Sequence, residues 1–104
     1  MSFSARVEGS RPTEVTLAGE LDIATAAELR NRLTSIEGDI ELDCSRLEFV
    51  DAAGLGVFVS AHRRLDGQGW KFVLVEPTPL LLRLLSVTGL DACLYVRSDA
   101  GSPR

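Results

Sequence analysis

Five short segments of the chain have the hydrophobic pattern of β-strands. Phe3, Ala5 and Val7 alternate with polar residues, and a second alternation follows a turn at residues 9–12. Gly19 is expected to end this second strand. The fourth segment is almost wholly apolar, as in a strand that is covered on both faces. The predicted strands are residues 3–8, 14–18, 40–44, 71–75 and 93–96.

Three other segments have the spacing of amphipathic helices. In the first, apolar residues recur three or four positions apart from Ala26 to Ile36, which places them on one side of a helix. In the second, the same spacing runs from Leu55 to Leu65 and puts His62 on the stripe that faces the core. The predicted helices are residues 24–36, 51–66 and 80–87.

This order of elements indicates one α/β domain. Strands that alternate with helices require right-handed crossovers and a largely parallel sheet. A chain of 104 residues is long enough to bury a core without metals or disulfides. We expect a single domain over residues 1–104, with an ordered core at residues 3–96 and a polar, flexible tail at residues 97–104.

Charge and hydropathy argue against several classes of function. The formal net charge is −4, and no clustered basic face is evident, so nucleic-acid binding is not expected. No apolar run approaches the roughly 20 residues that span a bilayer, so direct membrane insertion is not expected. The first residues have no apolar signal core, and a cytoplasmic location is the expectation.

The two cysteines and the single histidine are the candidates for chemistry. Cys44 and Cys93 lie in apolar stretches without the spacing of a metal site, and we interpret both as buried thiols. Cys44 and His62, with Asp43 or Asp51, could form a nucleophilic group. A packed histidine is the preferred interpretation, so we expect no enzymatic activity, no metal and no cofactor.

Three longer motifs resemble the STAS family, whose simplest members are bacterial anti-sigma factor antagonists. They contain a GELD turn, a DxSxxxFVDxxGLG turn and a C-terminal LLxxTGL, and together they cover nearly the whole chain. The matching stretches are LAGELDIATAAELRNRL at residues 17–33, IELDCSRLEFVDAAGLGVFVSAHRRL at residues 40–65 and LVEPTPLLLRLLSVTGLDACLYV at residues 74–96.

The resemblance implies a fold, a function and a partner. The fold would be a mixed, mostly parallel sheet of four to five strands, with three to four helices packed largely on one face. The function would be to bind an anti-sigma factor, often a kinase-like one with an ATP-binding domain. This binding would release a sigma factor. Self-association as a homodimer stays open. The alternative is a non-phosphorylated STAS scaffold in a stress-signalling complex, or the STAS subunit of a lipid-transport ABC system.

The resemblance also places the partner-binding surface around the start of the second helix. Phosphorylatable members carry Asp-Ser-Ser-Gly or Asp-Thr-Ser-Gly there, whereas this chain reads Asp-Ala-Ala-Gly. The phosphoacceptor position is occupied by Ala53, which has no hydroxyl. We therefore expect no phosphorylation switch at that site, and a binding surface held in its competent state. The candidate partner-binding residues are Asp22, Thr25, Asp51, Ala52, Ala53, Gly54, Leu55 and Gly56.

A purely structural interpretation of these residues stays open. Gly54 and Gly56 could supply only the backbone room that close helix packing requires. Asp22 or Thr25 could cap the first helix, and Asp51 could cap the second. Thr25 is in addition an alternative candidate for phosphorylation.

Overall fold

The fold is described here for residues 2–9 and 12–98 of a computed structural model. Ser10 and Arg11 of the expected turn and residues 99–104 of the expected tail lie outside the described residues. The elements along the chain are β1 (Phe3–Glu8), β2 (Thr13–Leu21), α1 (Ala26–Thr34), β3 (Ile40–Val50), α2 (Ala52–Asp66), β4 (Phe72–Val75), α3 (Pro79–Thr88), a short 3₁₀ helix (Leu90–Ala92) and β5 (Tyr95–Arg97).

The strands form one sheet in the order β1-β2-β3-β4-β5. β1 and β2 are antiparallel, and every later neighbouring pair is parallel. Because the parallel strands follow one another in chain order, right-handed crossovers place α1, α2 and α3 on the same face of the sheet. The predicted fold class, a mixed and mostly parallel sheet with its helices on one face, is confirmed.

The core lies between this helical layer and the sheet. Val15 and Leu17 of β2 and Leu29 of α1 are fully buried, as their alternation and helical spacing predict. Farther along, the rings of Phe58 in α2 and Phe72 in β4 lie 6.3 Å apart between their centroids. No helix in the described part of the chain is long and apolar enough to cross a membrane.

Two strands are longer than predicted. β2 continues through Gly19 to Leu21, so the expectation that Gly19 ends this strand is wrong. Gly19 instead adopts φ +92° at an irregularity of the strand, and a Cβ there would lie 1.8 Å from the carbonyl oxygen of Ser2. β3 extends to Val50 rather than ending at Cys44, because it pairs with β2 along most of its length.

The ends of other elements also differ from the prediction. α1 spans Ala26–Thr34 rather than residues 24–36, although Ile36 remains buried beyond its end. β5 spans Tyr95–Arg97 rather than residues 93–96. Arg97, expected in the tail, belongs to this strand, and its guanidinium donates to both carboxylate oxygens of Glu41 at 2.9 and 3.0 Å.

Candidate functional site

The predicted partner-binding residues meet at one edge of the sheet. Leu21 and Val50 are neighbours at the carboxyl ends of the parallel strands β2 and β3. The backbone N–H of Asp51 donates to the carbonyl oxygen of Leu21 at 3.1 Å. The loop that leads into α1 and the turn that leads into α2 therefore lie side by side.

Asp51 joins these two segments through its carboxylate. One oxygen, Oδ1, accepts hydrogen bonds from the backbone N–H groups of Ala53 at 2.9 Å and Gly54 at 3.1 Å, as expected of a helix cap. The other oxygen, Oδ2, accepts from the backbone N–H of Ile23 at 3.2 Å. The predicted cap is present, and the same side chain also fixes the neighbouring loop.

The loop before α1 is held by its own hydrogen bonds. Oδ1 of Asp22 accepts from the backbone N–H groups of Ala24 at 3.0 Å and Thr25 at 3.2 Å. Thr25 occupies the cap position of α1 without a side-chain cap bond. Its hydroxyl accepts from the N–H of Asp22 at 2.9 Å and donates to the carbonyl oxygen of Glu20 at 3.0 Å. Because this half-buried hydroxyl holds the loop, phosphorylation of Thr25 would break the loop's hydrogen bonds.

The start of α2 is exposed at only some of the predicted positions. Ala52 and Gly56 are exposed, and Ala53 is half-buried with one side against the core. Gly54 and Leu55 are buried within the chain, so a partner cannot reach either residue without a change in the packing. The partner-binding roles predicted for Gly54 and Leu55 are therefore not supported by their placement.

The two glycines of this turn have different surroundings. A Cβ added at Gly54 would lie 2.7 Å from Cγ2 of Val50 and 2.8 Å from Cγ of Leu21, closer than side-chain carbons pack. A Cβ added at Gly56 would meet nothing within 4 Å. The structural interpretation is thus correct for Gly54, whereas no packing within the described chain requires glycine at position 56.

The most exposed apolar residue of this region was missed in the sequence. Ile23 follows Asp22 in the loop and is 82% exposed, directly beside the cap of α2. Phe49 and Leu80, which are 45% and 48% exposed, line a shallow groove between the end of β3 and the start of α3. The sequence offered one indication that Ile23 is exposed, namely an apolar residue beside polar ones just before α1. Such a residue is easily mistaken for an irregular start of the helix's apolar stripe.

The two cysteines and the histidine differ in how accessible their side chains are. Cys44 is fully buried, and burial, with a smaller contribution from the charge of Asp43, raises the pKa of its thiol above the ordinary range. The ring of His62 is half-buried and contacts the ring of Tyr95 edge-on, with centroids 5.7 Å apart. Cys93 is exposed, so the expectation that it is a buried thiol is wrong.

Comparison with known proteins identifies the family. The family model described as Mlab, STAS domain, matches residues 4–96. This chain belongs to the STAS domain family. The match spans every strand and helix described above apart from the ends of β1 and β5.

Relatives of this STAS domain agree with that assignment. The anti-sigma-B factor antagonist of Bacillus subtilis (strain 168) is 32% identical over 93 residues, which cover 85% of each chain. An anti-sigma factor antagonist from Mycobacterium paratuberculosis is 25% identical, with a TM-score of 0.82 over 92% of this chain and 86% of the other. The Bacillus cell fate determinant SpoIIAA, solved in its phosphorylated form, has the same fold at 20% identity, with a TM-score of 0.75 over 96% and 93% of the two chains.

Proposed function

We propose that this STAS domain is an anti-sigma factor antagonist that binds its partner through Ile23, Ala52, Ala53 and Gly56. Several relatives at 30–32% identity are named anti-sigma-B factor antagonists, and they align over 80–85% of this chain. The observation that carries the proposal is the exposed, uncharged side chains of Ile23 and Ala52 on two segments that Asp51 ties together.

The shape of this surface favours close contact with another protein. Small residues at positions 52 and 56 leave the helix backbone accessible, since neither side chain extends far from it. Ile23 projects beside them, and burying an isoleucine side chain is worth about 1.5–3 kcal/mol. A complementary pocket on the partner would therefore gain about 10- to 150-fold in affinity from Ile23.

The partner we propose is an anti-sigma factor with a kinase-like ATP-binding domain, and the binding surface is not regulated by phosphorylation at position 53. Ala53 has no hydroxyl to accept a phosphoryl group. The N–H groups of Ala53 and Gly54, which would otherwise partly neutralise a phosphate at the helix start, already bind the carboxylate of Asp51. No phosphate can therefore be added at position 53 to switch binding off.

A phosphotransfer experiment tests the regulatory part of the proposal. The anti-sigma factor that co-purifies with this chain is incubated with radiolabelled ATP and either the wild type or Ala53→Ser. We expect no stoichiometric label on the wild type and label on Ala53→Ser at position 53. Label on the wild type would contradict the proposal.

A binding experiment tests the surface itself. By calorimetry, Ala53→Asp should weaken binding at least about tenfold, because it buries an unpaired charge in the interface. Ala53→Ser should bind like the wild type. Gln68→Asp adds the same charge beyond the other end of α2, where Gln68 is exposed, and should also bind normally. Equal affinities for all four proteins would remove Ala53 from the interface.

A second candidate function is a STAS scaffold or the STAS subunit of a lipid-transport ABC system. The absence of a hydroxyl at Ala53 favours it, because such a role needs no phosphorylation switch. Stable co-purification with a membrane ATPase or with other STAS chains, and not with an anti-sigma factor, would support this function over the first.

A further inference from the structure

The sheet has one face on which the described residues place no helix. α1, α2 and α3 all lie on the other face, as the strand order requires. Sheets of parallel strands are normally covered on both faces, and β2 to β5 run parallel to one another. We call the side that carries Glu14, Glu41 and Asp43 the outer face.

The outer face is acidic at its centre. A cleft of about 290 Å³ there is lined by the carboxylates of Glu14, Glu41 and Asp43 and by the guanidinium of Arg97. Arg97 binds both oxygens of Glu41, so these two charges offset each other. The carboxylates of Glu14 and Asp43 leave the cleft with a net negative charge.

On the opposite side of the molecule, the helices form a groove with basic sides. Between α1 and α2 lies a small groove of about 90 Å³ with an apolar floor of Leu33, Val57 and Ala61. Arg30 and Arg64 flank the floor. Arg64 donates to the carbonyl oxygen of Leu33 at 2.7 Å, which fixes one guanidinium at the side of the groove. We call this surface the α1–α2 groove.

We propose that the outer face of one chain binds the α1–α2 groove of a second copy. The contact would add the missing helical layer to the sheet, and Arg30 and Arg64 would meet the carboxylates of Glu14 and Asp43. A two-fold dimer would pair each face with itself and bring like charges together, so the opposite charges favour a head-to-tail contact. Such a contact leaves one unpaired surface at each end of the dimer, so further copies can add to form a linear oligomer.

The residues of this contact differ from Ile23, Ala52, Ala53 and Gly56, so failure of self-association and failure of anti-sigma binding can be told apart. Sedimentation equilibrium of the full chain between 10 µM and 1 mM measures it. At about 20 mM NaCl the average mass should rise with concentration past that of a dimer. In 0.5 M NaCl the rise should be lost, because salt shortens the range of exposed charges from about 10 Å at 0.1 M to about 3 Å at 1 M.

Charge exchange tests which faces meet. Arg30→Glu combined with Arg64→Glu makes the groove acidic, and Glu14→Arg combined with Asp43→Arg makes the outer face basic. Each double variant alone should stay monomeric at 1 mM, and an equimolar mixture should regain the mass increase, since each altered face then meets an opposite charge.

Two further variants serve as matched controls. Arg83→Glu and Asp91→Arg alter exposed charges on α3 and the 3₁₀ helix, outside both surfaces, and should associate like the wild type. Circular dichroism confirms that each variant is folded. A wild type that is monomeric at 1 mM in low salt would overturn the proposal, and so would association that neither double variant weakens or a mixture of the two that remains monomeric.

Discussion

Replacing each glycine of the first turns of α2 by alanine separates packing from helix propensity. Gly54 and Gly56 lie two residues apart in the same helix, so the gain in helix propensity is about the same, about 0.8–1.0 kcal/mol for each. Gly56→Ala adds a methyl group in open space. We therefore expect Gly56→Ala to raise the free energy of unfolding by about 1 kcal/mol, or roughly 4–8 °C in melting temperature.

Gly54→Ala has the same propensity gain and a large steric cost. Its Cβ would lie 2.7 Å from Val50 and 2.8 and 2.9 Å from two carbons of Leu21, both of which are buried. Overpacking a core by one methyl group typically costs about 1–3 kcal/mol. The net expectation is a loss of about 1 kcal/mol, which puts the two variants about 2 kcal/mol apart.

Urea unfolding followed by the fluorescence of Trp70 measures both values. Trp70 is the sole tryptophan and packs against the core next to the end of α2, away from the substituted turn. The wild type and both variants should unfold with the same dependence on urea, so the midpoints report stability alone. Gly54→Ala as stable as Gly56→Ala would refute the steric argument. If position 56 also contacts a partner, Gly56→Ala should bind the anti-sigma factor more weakly while being more stable.

Three other predictions concern the cap of α2 and the two cysteines. Asp51→Ala removes the cap of α2 and the bond to Ile23, and should lower the free energy of unfolding by about 1–2 kcal/mol in urea titrations, with Asp51→Asn losing less. At pH 8 a thiol reagent should label Cys93 and spare Cys44 in the folded protein, with both labelled in urea. Because the folded pKa of Cys44 is raised, its contribution to stability is complete below the ordinary thiol pKa of about 8.5 and falls as pH rises above it, so Cys44→Ala should show a flatter decline in stability between pH 8.5 and 10. Labelling of Cys44 in the native state, or identical pH profiles, would contradict its burial.

Much of the fold was predictable because its hydrophobic periods are clear. α2 has an apolar stripe over four turns, a capping aspartate and glycine beyond its end, and it was placed within one residue. The parallel order followed from the alternation of strands and helices. The prediction ended β3 too early because residues 45–50 interrupt the simple alternation, as bulged strands do. Only the pairing with β2 shows that the strand continues.

The site was predicted in part, and the missing part depends on tertiary contacts. The cap of Asp51 and the exposed alanine at position 52 follow from the local sequence. The burial of Gly54 depends on Leu21, which is 33 residues away along the chain and comes into contact through the β2–β3 pairing. The exposure of Ile23 likewise depends on how the loop folds, and a hydrophobicity pattern alone favours burial for such a residue.

Ordering costs give the hydrogen bonds beneath this surface a role in the proposed binding. A flexible loop that becomes ordered in a complex loses conformational entropy, which subtracts from the affinity. Here Asp22 and Thr25 fix the loop, and Asp51 ties it to α2, before any partner arrives. Because the backbones that carry Ile23 and Ala52 are therefore held together, we expect burial of Ile23 in the proposed complex to be offset little by ordering of the loop. In the proposed complex we expect Asp51→Ala to weaken partner binding even where the variant is fully folded, since it removes the hydrogen bond that ties the loop of Ile23 to α2 and changes no exposed apolar side chain.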